Sequence, residues 1–363
     1  MSSPRASLLK QQSPDQIRSR PCPFCFLCGT TGEPLYENLK DRLYSAPGTW
    51  NLKRCLDPGC GLLWLDPMPA EEDIDKAYEN YFTHIEANPV RKSWLKRAYG
   101  FAKKGYWARK YGYNKDSIAG WQKLWGMVLQ LHPGRSAEVD FSAMYLPCRR
   151  NGHVLDIGCG SGQALQNMSD LGWQVQGVDF DPKAAQIARR KGFEVRVGEL
   201  AAQCYPSDCF DAITMSHVIE HVHDPLSLLK ECRRILKPGG RLAIVTPNSR
   251  SWGHQRYGMN WMHLDPPRHL HIFNEQSLRR LVGMAGFNLV SLSTTIRDAN
   301  GSFIGSRSIE RTGGHVMGQP NHTRLNILWG RGMQFAEWTL LKLAPGLGEE
   351  VALIGARELA VKQ

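Results

Sequence analysis

The chain has 363 residues, of which 42% are hydrophobic and 22% charged, a length that suggests about two domains with ample apolar material for a core. Its 45 Lys and Arg against 34 Asp and Glu leave a net charge of +11, which favours a negatively charged partner: nucleic acid, phospholipid or an anionic substrate. No uninterrupted apolar run of about 18 residues occurs and none follows Met1, so a membrane-spanning helix and a secretory leader are not expected. The expectation is a cytoplasmic protein whose ten Cys are reduced or metal-bound.

Residues 1–20 form a polar tail, with Ser2-Ser3-Pro4-Arg5 and Gln11-Gln12-Ser13-Pro14, and are expected to be disordered. Residues 21–69 carry Cys25-x2-Cys28-Gly29 and Cys55-x4-Cys60-Gly61. Two Cys pairs separated by a strand-turn-strand length predict a zinc ribbon liganded by Cys25, Cys28, Cys55 and Cys60, with Cys22 as a substitute ligand. The second pair is spaced more widely than C-x2-C, and Asp57-Pro58-Gly59 can form the wider turn. The alternative is a set of reduced, unmetallated cysteines. The stretch from Cys55 to Pro69 resembles the small zinc-binding module that precedes some bacterial methyltransferase domains.

Residues 70–148 read as a helical, basic and aromatic linker or lid. A helix is expected over Glu71–Tyr81 and another around Trp121–Leu131. Between them, residues 91–115 interleave nine cations with seven aromatics and contain no acid. Such a stretch can lie on a membrane surface, stack on nucleic acid, or cap the substrate cleft as a solvated helix.

Residues 149–363 alternate strands and helices, which predicts an α/β fold: a doubly wound, seven-stranded, mostly parallel sheet. Val154, Leu155 and Ile157 mark a buried strand that ends at Asp156, and Gly158, Gly160 and Gly162 allow a tight turn with close approach of a ligand. Gln163 breaks the dinucleotide fingerprint, and an acid before the loop suits a ligand with a positive amine. Asp179 ends the second strand 23 residues after Asp156, a spacing that suits ribose hydroxyls. Phe180 beside it could stack on adenine. Asp181-Pro182 and Asp224-Pro225 each cap a helix. Glu199-Leu200 follows the third strand. The fourth, Phe210–Met215, runs into Ser216-His217 and then Glu220-His221. The helix after Asp224 is expected to stop at Lys237-Pro-Gly-Gly240, with the fifth strand over Arg241–Thr246. Residues 249–274 collect Trp252, His254, Trp261, His263, His269 and His271 on the ligand-binding edge. The sixth and seventh strands are expected over Leu289–Thr295 and Val351–Ala356, with a long helix before the last. Residues 298–323 are Gly-rich and basic and read as mobile.

In order and content, residues 150–250 resemble class I S-adenosylmethionine-dependent methyltransferases of the type 11/23 kind. The resemblance implies that Asp156, Gly158, Cys159, Gly160 and Gly162 hold the methionyl part of the cofactor, with Ser216 and His217 at the same end. It implies Asp179 on the ribose, Phe180 at the adenine, and Glu199 and Leu200 beyond it, where Asp is commoner than Glu. His221 is the expected catalytic base, with His217 and His269 as neighbours that could share the role. The H-x-x-E-H order also occurs in inverted zinc proteases, but a strand end stands where those need a helix. Related methyltransferases with E-x-x-E-H here bind a metal, and His217 in the first position leaves that role open. The implied reaction is methyl transfer, O-methylation first, to a small-molecule or glycan-type acceptor, lipid-linked acceptors included. On this reading the enzyme works in the cytoplasm or peripherally at the inner membrane surface, through residues 91–115. RNA methylation and a non-catalytic cofactor-binding adaptor are the alternatives.

Overall fold

The computed structural model describes residues 16–79, 94–316 and 323–359. Most of the expected N-terminal tail, the start of the basic-aromatic stretch with Arg91 and Lys92, and residues 317–322 lie outside them.

The N-terminal region opens with β1 (Ser19–Arg20), followed by an antiparallel meander of β2 (Gly32–Leu39), β3 (Trp50–Cys55) and β4 (Leu63–Leu65). β5 (Met68–Pro69) pairs back with β1. The helix expected over Glu71–Tyr81 is a 3-10 helix over Glu71–Tyr78. Three helices follow: α1 (Trp94–Lys110), α2 (Gly120–Val128) and α3 (Pro133–Ser142).

The α/β domain then unrolls as β6 (His153–Ile157), α4 (Gln163–Asp170), β7 (Gln174–Asp179), α5 (Pro182–Arg190), β8 (Glu194–Val197), β9 (Phe210–Ser216), α6 (Pro225–Ile235) and β10 (Leu236–Pro247). The caps read from the sequence are present: Asp181 accepts from Lys183 N at 2.8 Å and Asp224 from Ser227 N at 3.0 Å. After α7 (Trp252–Tyr257) come β11 (His271–Ile272), α8 (Glu275–Met284), β12 (Asn288–Thr295), α9 (Ala299–Thr312), α10 (Arg324–Leu341) and β13 (Glu350–Ala356). The main sheet has the order β12-β13-β10-β9-β6-β7-β8. Its strands are parallel except β13, which runs antiparallel to both neighbours. β6 is buried from Val154 to Ile157, as a strand covered on both faces must be.

Two sequence expectations are corrected. Lys237-Pro-Gly-Gly240 belongs to the fifth strand of the domain rather than ending a helix. α6 stops at Ile235, and β10 shifts register against β9 between Leu236 and Arg241 to absorb the extra residues. The Gly-rich segment read as mobile contains α9, which packs on α10. Gly305 is a contact position, because a Cβ there would meet Met262 Sδ at 2.2 Å.

The N-terminal meander and the α/β domain are joined. β11 pairs antiparallel with β4, so one four-stranded sheet of order β11-β4-β3-β2 combines both regions. Leu52, Trp64 and Leu65 share a core with Leu270, Phe273 and Leu278. Among the described residues, no helix is long and apolar enough to cross a membrane.

Candidate functional site

The cofactor-side residues meet at the C-terminal ends of the parallel strands. Asp156 is buried in β6 and accepts from Thr214 Oγ1 of β9 at 2.6 Å. Burial pushes its carboxyl up to about 7. Asp179, at the end of β7, is also raised by burial, and it accepts from Gly160 N at 2.7 Å and Asp181 N at 2.9 Å. Gly158, Gly160 and Gly162 all lie at positive φ, which ordinary side chains rarely adopt. A Cβ on Gly160 would meet nothing within 4 Å, so the turn is open on that side. Phe180 is 58% exposed beside Asp179, with the Tyr78 ring edge-on to it at 5.2 Å. Glu199 is exposed and Leu200 buried just beyond β8. Cys159 does not face this opening: its side chain is buried in a cluster with Leu165, Ala185 and Val195, so only its backbone borders the turn.

Ser216 ends β9, and the next residue, His217, takes a left-handed conformation with φ 54. That turn sends its ring between two glutamates. Nε2 donates to Glu350 Oε1 at 2.8 Å, and Nδ1 lies 3.3 Å from Glu220 Oε1. Burial opposes its charge, but the two carboxylates raise it to about 10, so it is an imidazolium at neutral pH. In that state it cannot accept a proton, and Arg297 Nη2 lies 3.0 Å from the same Nε2, so its place is between charged partners. Arg297 pairs with the same Glu350. Burial works to raise Glu220 as well, yet the His217 cation beside it holds it at about 2.

His221 and His269 are different. His221 Nδ1 lies 3.0 Å from the Arg268 carbonyl and 3.0 Å from the Tyr78 hydroxyl. A carbonyl can only accept, so Nδ1 carries the proton and Nε2 keeps a lone pair. His269 Nδ1 donates to the His263 carbonyl at 2.7 Å by the same logic. Burial lowers both rings to about 4, so both are neutral. Their rings are 4.7 Å apart, and one ligand atom from each lies within 4.8 Å of Glu220. Among the described residues, His263 Nε2 is buried there without a hydrogen-bond partner.

The loop carrying His269 is anchored by Arg268, which is fully buried. It bonds Asp265, Asp41 at 2.8 Å and the Ala77 carbonyl at 2.9 Å. Sequence reading placed Arg268 in the ligand-edge loop without a role and missed Tyr78, Glu350 and Arg297. An acid pair, Glu349-Glu350, opening an apolar strand was a usable signal for Glu350, while Tyr78 sits in a segment with no distinguishing pattern.

The four cysteines of the N-terminal region converge as the spacing predicts. Cys25 Sγ lies 3.7 Å from Cys60 Sγ and Cys28 Sγ lies 3.3 Å from Cys55 Sγ, with all four within 4.8 Å of one another. Zinc with bonds of about 2.3 Å sets its sulfurs about 3.8 Å apart, so the cluster fits a tetrahedral ion. The wide C-x4-C turn is closed by the Asp57 carbonyl, which accepts from Cys60 N and Gly61 N. Cys22 is not in the cluster.

A doubly wound sheet with its last strand reversed and with acids ending the first two parallel strands beside a glycine turn is the arrangement expected of a class I S-adenosylmethionine-dependent methyltransferase domain. Residues 136–292 match the family model described as a methyltransferase domain. A ubiquinone biosynthesis O-methyltransferase of Xanthomonas oryzae pv. oryzae is 34% identical over 137 residues, 35% of this chain and 56% of that protein. Its counterpart in Xanthomonas campestris pv. campestris is 36% identical over 139 residues, again 35% and 56%. The chain therefore spans about half the length of the curated relatives it matches. An S-adenosylmethionine dependent methyltransferase from Mesorhizobium loti is 15% identical with a TM-score of 0.42, covering 61% of this chain and 98% of that one.

Proposed function

We propose that this chain transfers a methyl group from S-adenosylmethionine to an oxygen of a small-molecule or glycan-type acceptor. The observation that carries the reading is the pairing of a cofactor-type opening at Asp156, Gly160 and Asp179 with two neutral, tautomer-fixed histidines next to Glu220. S-adenosylmethionine supplies a methyl already activated on a sulfonium. Asp156 and the glycine turn would hold its methionyl part with Ser216 and His217 nearby, Asp179 its ribose, and Phe180, Glu199 and Leu200 the adenine end. The O-methyltransferase names of the relatives support oxygen as the acceptor atom.

An acceptor hydroxyl must lose its proton as it attacks. His221 Nε2 is the favoured acceptor of that proton, with His269 beside it. Burial weakens both as bases, but ionised Glu220 would offset the positive charge that forms on the ring. His217 bridges Glu350 and Glu220, and with Thr246 Oγ1 it keeps Glu220 ionised beside the two rings. The zinc ribbon is a structural support in this reading, with Cys25, Cys28, Cys55 and Cys60 as ligands.

The test is transfer of labelled methyl to phenolic and glycan hydroxyls by the wild type and by His221→Ala. Turnover should fall by about 100-fold or more in the variant, the usual size of a general-base contribution, with cofactor affinity unchanged. Turnover near the wild type would move the base elsewhere in the 254–271 loop.

A further inference from the structure

Of the aromatics of the basic stretch, only Trp94, at the start of α1, is largely exposed among the described residues. Tyr106 and Tyr113 are buried, and Tyr99, Phe101, Trp107 and Tyr111 are partly covered. Tyr106 and Tyr111 both donate to Asp140 of α3, at 2.9 and 2.8 Å. The exposed apolar face belongs to the next helix. Trp121, Leu124, Trp125, Met127 and Val128 of α2, with Leu131 just after it, are between 40% and 83% exposed. Their spacing follows one side of the helix, while Gly126 and Leu129 turn inward toward α1. Single exposed apolar residues are ordinary, but six within eleven positions form a patch that needs a partner.

Charge says which partner. No acid occurs from Trp94 to Lys115 or within α2. Arg97 and Lys104, two turns apart on α1, line an open cleft of about 540 Å³ together with Asn114 and Ser117. Phe101, on the wall of that cleft, is 5.0 Å from the Trp121 ring, so the cationic cleft adjoins the apolar face. Of the acids near the two helices, Asp140 pairs with Lys110 and Asp116 with Arg150, while Glu138 of α3 lies close to Lys103 and Tyr99 rather than to Arg97 and Lys104.

We propose that the α2 face docks on an anionic phospholipid bilayer, with its Trp and Leu side chains at the headgroup boundary and Arg97 and Lys104 taking lipid phosphate. Trp suits that boundary because its ring is apolar and its N–H is polar. The surface moves the membrane contact expected of residues 91–115 onto α2, and it stands independently of the methyl-transfer reading. The hairpin is also coupled to the candidate site: α3, which holds Asp140, packs Phe141 under Arg297 at 3.9 Å.

The test is sedimentation of the full chain with vesicles of phosphatidylcholine alone and of phosphatidylcholine mixed with phosphatidylglycerol. Binding to the mixed vesicles should exceed binding to the neutral ones, with a blue shift of Trp fluorescence. Leu124→Glu with Trp125→Glu should lower binding at least about tenfold, since two apolar side chains no longer leave water. Arg97→Gln and Lys104→Gln should each cost about fivefold on anionic vesicles only. These two are exposed substitutions, so they keep the test valid if the double Glu variant fails to fold. Absence of vesicle binding by the wild type overturns the proposal. So does a self-association that the Glu variant abolishes without any vesicle binding, which would assign the face to a second copy. Tight RNA binding without vesicle binding overturns it in favour of nucleic acid.

Discussion

Asp156 sits where desolvation and function pull in opposite directions. Its carboxyl, raised to about 7 by burial, is partly protonated near neutrality in the free protein. The role proposed for Asp156, pairing with the amine of S-adenosylhomocysteine or S-adenosylmethionine, requires the carboxylate, so binding would expel that proton. Cofactor affinity should therefore rise with pH through 7 and fall by up to about tenfold per unit below it. Calorimetry at about pH 6 and about pH 8 in buffers of different ionisation heat measures both the affinity and the proton released. A flat profile would contradict the role. For folding the sign is reversed: a carboxyl raised in the folded state stabilises fully below its unfolded value and loses that contribution as pH rises through about 7. At this scale the two strand-end acids and the glycine turn were legible, because strand periodicity and local spacing fix where they fall. The charge state of His217 was not. It depends on Glu350, 133 residues away, which pairing across the sheet brings to the same point.

Among the elements, the Cys-rich meander and α8 show how a local motif acquires a distant purpose. Asn274 caps α8 by accepting from Gln276 N and Ser277 N. Its amide also donates to the carbonyls of Cys60 at 3.0 Å and Gly61 at 2.9 Å. The turn bearing two of the sulfurs is thus tied to the chain just after β11 and His269. We expect about one zinc per chain, and Cys25→Ser with Cys28→Ser should abolish it, since a structural site needs all four ligands. Loss of the ion should also lower turnover, because the loop holding His269 loses its support. Metal analysis of the purified chain decides the first point. Zinc retained by the double variant, or wild-type protein without zinc that is equally stable, would contradict the assignment. The ligand spacing was readable in sequence, but the sheet shared by β4 and β11 was not, since two residues carry no strand signal of their own. α9 was hidden for a related reason. Its glycines resemble loop punctuation until the neighbours that press on them, such as Met262, are known.

Across the whole molecule, alternation of strand and helix made the doubly wound sheet legible over 150–295, and the reversed β13 completes it. What escaped sequence reading is how the parts close on the acceptor side. Arg268 joins Asp41 of the N-terminal region to Asp265 of the histidine loop, and Tyr78 reaches His221 from a segment before α1. The Arg268–Asp41 and Tyr78–His221 contacts link residues more than 140 positions apart, and no local pattern encodes them. The central claim is that this assembled opening binds S-adenosylmethionine through Asp156. Isothermal titration with S-adenosylhomocysteine, run on the wild type and on Asp156→Ala with matched thermal melts, tests it most directly. The wild type should bind one equivalent and the variant should lose most of that affinity while folding normally. Equal affinity in a folded variant would contradict the claim.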